Sequence, residues 1–171
     1  MSNNINKIPL SQKAIYYGNI NMPDGWEIDR NNLSGYIFQS YIRESKLIIS
    51  PTLQKVTSYL REFMSIKHEI IMVEKEFTGN IYSPNETSEL ILDVDPVDLR
   101  NSPDYTMLYG AHVKDCSVQI YYDDNRKKNR SWNIPMLNNR FILFSSSDPY
   151  TIINNQKKGL NIIQKITYED V

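Results

Sequence analysis

The chain has 171 residues, a single cysteine and a formal net charge of −1. That length suits one domain with its own core, and the near-neutral balance excludes a global basic field for nucleic acid or an anionic membrane. Cys116 stands alone, so an intramolecular disulfide and a cysteine-cluster zinc site are both excluded.

The opening "MSNNINKIPLSQK" lacks the apolar core that a signal peptide needs. No apolar run approaches the ~20 residues of a membrane span. The expectation is a soluble protein of a reducing compartment, or of a particle assembled there. "MPDGW" (22–26) reads as a turn. "IDRNNLSGYIFQSYI" (28–42) places Leu33, Ile37 and Tyr41 at helical spacing, weakened by Gly35. The strongest helix follows at about 51–64. Ser50 is its N-cap, Pro51 takes the first helical position, and Leu53, Val56, Leu60, Phe63 and Met64 fall on one face. That stripe is expected to dock onto a sheet.

From residue 66 the pattern turns to strands. "HEIIMVEKEF" alternates, with Ile71, Val73 and Phe77 on one side and Ile70, Met72 and the glutamates on the other. "ELILDV", "DYTMLYGAHV", "CSVQIYYDD", "WNIPM", "RFILFS", "YTII" and "LNIIQKITYE" follow, joined by Pro, Asn, Asp, Ser and Gly. About eight short strands after a packing helix predict a mainly β, α+β domain, a β-sandwich or jelly roll. The predicted organisation is one domain over 1–171. Its N-terminal segment, 1–65, carries the helix, and its β core covers 66–171.

Candidate chemistry is sparse. Of the two histidines, His68 reads as a surface or structural residue. His112 precedes a strand and Asp115 follows three positions later, which is half of a non-haem iron site of two histidines and one carboxylate. The third ligand has no obvious source, and the plainer reading has both residues bonding locally at a strand end. Ser145, Ser146 and Ser147 lack a nucleophile elbow and read as a turn. Asp93, Asp95, Asp98 and Asp104 do not match a calcium loop and read as loop structure, with Arg100 a partner for one of them. "DDNRKKNRSW" (123–132) joins two strands. Its Arg126, Lys127, Lys128 and Arg130 read as a solvated hairpin end or as a contact with an acidic protein surface.

"YYGNINMPDGW", "DVDPVDLRNSPDYT", "IYYDDNRKKNRSWNIP", "NNRFILFSSS" and "NNQKKGLNIIQKITYE" together resemble small proteins of tailed phages, notably those of marine cyanobacteria. Such proteins resemble distant relatives of the 2-oxoglutarate/iron(II) dioxygenases, including prolyl hydroxylases. The resemblance implies a double-stranded β-helix, a jelly roll with supporting helices. The family pattern has His-x-Asp before one strand, a distal His in a later turn, and an Arg or Lys about ten positions on that binds the 2-oxoglutarate carboxylate. His112 and Asp115 stand one residue too far apart, Tyr150 takes the distal histidine's place, and Leu160 stands at the cation's position. The resemblance therefore implies a retained fold with a degenerate site and no cofactor. The protein would be a non-enzymatic virion, tail or assembly component of the virion or host cytoplasm, binding other particle proteins, in several copies if it builds the particle. Two alternatives stand beside it. One is an iron(II)/2-oxoglutarate oxygenase using His112 and Asp115 with an unidentified third ligand. The other is a protein that binds a host factor through the basic hairpin.

Overall fold

The computed structural model describes residues 13–21, 28–43, 50–122 and 130–171. Five strands form the larger sheet: β1 (Tyr16–Asn19), β6 (Arg140–Ser145), β3 (Tyr105–His112), β8 (Asn161–Asp170) and β2 (Met72–Tyr82), in that spatial order. Three form the smaller sheet, in the order β5 (Arg130–Met136), β4 (Cys116–Tyr122) and β7 (Tyr150–Asn154). Every strand pairing is antiparallel.

Strand alternation divides the larger sheet's side chains between two cores. On β8, Ile162, Ile166 and Tyr168 face the helices, while Ile163 faces the smaller sheet. Leu108, Ile142 and Phe144 join Ile163 there and meet Val118, Ile120, Ile134 and Ile152 from the smaller sheet. The two sheets thus close face to face over one apolar layer, as in a jelly roll.

The second core lies under two helices, α1 (Arg30–Arg43) and α2 (Pro51–His68). The α2 start is as the sequence predicts. Pro51 is at the first turn, and Ser50 Oγ accepts from the Leu53 amide at 3.1 Å. The helix runs four residues beyond the predicted end, to a cap at Glu69 in the left-handed conformation. Leu53, Val56, Leu60 and Met64 are fully buried against the sheet, while Phe63 is half-buried. In α1, Leu33 and Ile37 do the packing. Gly35 lies on the exposed side with open space around it, so it weakens propensity without opening a gap in the core. Helix and sheet meet closely at Gly79 of β2, where an added Cβ would lie 2.6 Å from Ile37 Cγ2.

Two strand predictions change. Met72 is buried toward the helices and Phe77 packs with it, whereas Ile71 and Val73 are exposed, so Phe77 is not on the side of Ile71 and Val73 where the alternation put it. A bulge between Glu74 and Glu76 inserts one residue, so Met72 and Phe77, five apart, share a face. The "ELILDV" stretch (89–94) and the residues just before it make only isolated bridges, Thr87 to Ile153 and Ile91 to Tyr150. Ser88 explains part of this, because its side chain, in place of a backbone carbonyl, accepts from the Ile152 amide at 2.9 Å. A loop then follows, held by Asp95 N–H to Ser102 Oγ at 2.8 Å and by Asp98, which caps a single 3-10 turn at Leu99–Asn101. Among the described residues, no helix is long and apolar enough to cross a membrane.

Candidate functional site

The space between the sheets is the natural place for a site, and apolar side chains occupy most of it. Tyr150, at the start of β7, is 1% exposed and meets Phe144 edge-on at 5.1 Å between ring centroids. Tyr82 closes the same core from the end of β2. Burial, then the nearby Asp93 carboxylate, push the Tyr150 phenol well above its ordinary range, so it stays protonated.

At one end of this core the interior turns polar. Lys165 points inward because it shares the face of Ile163 on β8. Its Nζ lies 2.6 Å from Asp93 Oδ1. Thr106 Oγ1 donates to Asp93 Oδ2 at 2.8 Å and lies 2.9 Å from Ser146 Oγ. Both members of the ion pair are largely removed from solvent. Such a pair adds little net stability, but removing one partner strands the other's charge.

The sequence candidates do not converge on this cluster. His112 and Asp115 lie at the β3–β4 turn, both exposed, with Asp115 at φ 46°. The Asp115 carbonyl accepts from the amide of Asn155, whereas Tyr150 lies at the other end of β7, about 13 Å along the strand. Leu160 is a partly exposed loop residue just before β8. The inward cation of that strand is Lys165, five positions later, which position counting missed. Strand alternation with Ile163 is the signal that could have found it. Arg100 forms no ion pair among the described residues, while Asp93, which the sequence assigned to loop structure, is the carboxylate that reaches the interior.

His68 ends α2 and packs its ring on Tyr16 and Phe63, at centroid distances of 4.5 and 5.6 Å. Ser145 and Ser147 bond to each other, and Ser147 accepts from Lys13, so neither hydroxyl is hydrogen-bonded to a histidine. Burial pushes the Cys116 thiol up to about 12, which makes it a poor nucleophile. Of the basic hairpin, Arg126, Lys127 and Lys128 lie outside the described residues. Arg130 lines a cleft of about 510 Å³ between the β1 and β5 edges, with Tyr17, Tyr122, Trp132 and the Lys13–Asp148 ion pair.

An iron(II) site of this fold class needs two imidazoles and a carboxylate with open positions beside them. The donor set here does not fit. Neither histidine reaches the interior, Tyr150 holds a proton rather than a ligating charge, and Asp93 is neutralised by Lys165. Among the described residues, no three His, Cys, Asp or Glu side chains gather for a metal.

Strands β2 to β8, with the bridged 87–91 segment, form an eight-part roll backed by two helices, which is the double-stranded β-helix of the 2-oxoglutarate oxygenases. Among solved structures, the chain is similar to a Pseudomonas putida prolyl-4-hydroxylase (10% identity, 92% of this chain and 86% of that one, TM-score 0.63). It is also similar to the collagen prolyl hydroxylase of Paramecium Bursaria Chlorella virus-1 (14% identity, 92% and 96%, TM-score 0.62). A third is the α-ketoglutarate-dependent epimerase SnoN of nogalamycin biosynthesis (6% identity, 92% and 78%, TM-score 0.66). At these identities the likeness concerns the fold. No family model and no curated protein sequence matches the chain.

Proposed function

We propose that this chain is a non-catalytic double-stranded β-helix protein of a tailed phage, a virion, tail or assembly component that works through protein–protein contacts. The observation that carries the non-catalytic reading is the filled interior. Ile91 lies across from Tyr150, and Asp93 follows with the one-residue spacing of a His-x-Asp motif. Both imidazole positions of such a site are thus taken by Ile91 and Tyr150, and the remaining carboxylate is bound to Lys165. The resemblance of several sequence stretches to small phage proteins supports the particle setting. Mass spectrometry of purified virions tests it, with the protein expected at a fixed ratio to the major structural proteins. Its absence from virions would overturn the particle role.

A second reading is an iron(II)/2-oxoglutarate oxygenase using His112 and Asp115. Similarity to prolyl hydroxylases and to SnoN in fold favours it. It requires stoichiometric iron in the purified protein and release of succinate from 2-oxoglutarate. The proposed function expects neither, and finding both would replace it.

A further inference from the structure

Where the interior turns polar, a cavity of about 210 Å³ opens at the mouth of the roll, lined among others by Lys75, Glu76, Asp93, Asp95, Asp98 and Thr167. Its charges do not balance. Lys165 is held by Asp93 and Lys75 by Glu169, at 2.6 Å each. No ion pair reaches Glu76, Asp95 or Asp98 among the described residues. The second observation is Thr167. It is 3% exposed, and its buried hydroxyl oxygen has no hydrogen-bond partner. Asp95 and Asp98 accept hydrogen bonds within their own loop, from Val97 and Asn101, but an unpaired buried hydroxyl beside three carboxylates without a counter-ion calls for a group that donates hydrogen bonds and carries positive charge.

A metal ion does not meet that description, since no three carboxylates among the described residues converge on one point. An ammonium or guanidinium, which spreads its donors over a wider shell, does. The surroundings indicate what carries it. Leu90, Leu92, Val97 and Leu99 are 62%, 43%, 95% and 66% exposed within ten residues of the same segment. A small hydrated amine makes no use of exposed apolar side chains on the segment that lines its pocket, whereas a polypeptide does. The loop is also ordered in advance by the Asp95–Ser102 and Asp98–Asn101 hydrogen bonds, which lowers the cost of docking.

We propose that this cavity receives the cationic end of a lysine or arginine side chain from a partner polypeptide, whose neighbouring apolar residues rest on the exposed leucines and valine. This deepens the contact reading by giving the chemistry of one partner surface.

The test uses the full chain and a fluorescein-labelled octapeptide of alternating leucine and lysine, its leucine–arginine counterpart, and a leucine–glutamine control. The two cationic peptides bind in anisotropy titrations and the glutamine peptide does not. Asp95→Asn with Asp98→Asn, which keeps the loop's capping oxygens, weakens binding at least about tenfold. Glu76→Gln, outside that loop, weakens it in the same direction. Thr167→Val weakens binding while leaving the melting temperature unchanged or raised, because it removes an unpaired buried hydroxyl. Equal affinity for the glutamine peptide, or no loss in the carboxamide variants, overturns the proposal. So does spermidine displacing the peptide at comparable concentration, which would mark a site for free polyamines. Detection in virions does not depend on these titrations, so the two ideas fail separately.

Discussion

Asp93 and Lys165 are 72 residues apart in the chain and meet inside the roll. Replacing Lys165 by Met leaves the carboxylate without its counter-charge, and the expected loss is about 3 kcal/mol, the low end for a buried pair because the lysine retains some exposure. Asp93→Asn combined with Lys165→Met should recover most of that loss, and urea denaturation of the single and double variants measures it. A pH effect arises in the same core. The Cys116 thiol goes from 9 in the unfolded chain to about 12 when folded, and burial likewise raises the phenols of Tyr82, Tyr109, Tyr150 and Tyr168 above their unfolded value of 10. The folded state therefore keeps protons that the unfolded chain gives up. Stability should be level below about pH 9 and fall as pH rises beyond it, first through the thiol and then through the phenols. Urea midpoints at about pH 8 and about pH 10.5 test the sign. At this scale the turn before Tyr150 was legible, while the depth of its burial was not. The partnership of Asp93 with Lys165 was not, because it depends on a register between segments that local pattern does not encode.

Among the elements, α2 was the most legible, since its cap, first-turn proline and apolar stripe all lie within one short stretch. Ser50→Ala should cost about 1 kcal/mol in the same urea assay. Strand β2 was legible as a strand but not in phase. Its bulge is a property of the ladder with β8, and nothing in "MVEKEF" announces it. β1 was missed, because its four residues gain strand geometry only by pairing with β6. The contact between α1 and β2 gives a sharper test. Gly79→Ala places a methyl 2.6 Å from Ile37, so overpacking should cost about 1–3 kcal/mol. Ile37→Ala should then cost less in the Gly79→Ala background than alone. Strict additivity of the two losses would show that the helix and strand do not press on each other there.

For the whole molecule, the count of strands and their turn-rich connections were enough to reach the jelly roll, while the pairing into sheets of five and three was not readable. The site was less legible than the fold. Position counting put the candidate carboxylate at Asp115, whereas Asp93, the one that meets Lys165, lies in a segment whose strand character is only two bridges. The proposed protein-contact role concerns surfaces, and two differ in character. One is the acidic mouth with its exposed leucines. The other is the cleft between the β1 and β5 edges, with Trp132 and Arg130.

The Asp93–Lys165 pair also bears on how such a chain could change over generations. Putting histidine at position 91 or 150 alone would bury an imidazole beside an already satisfied carboxylate, with nothing gained. Even both together would leave the Lys165 ammonium beside Asp93, where an incoming cation must compete with it. Iron binding at this place thus stands at least three coordinated substitutions away, at positions 91, 150 and 165. No single step along that route is rewarded, so the internal lysine makes iron binding at this place hard to reach by gradual change.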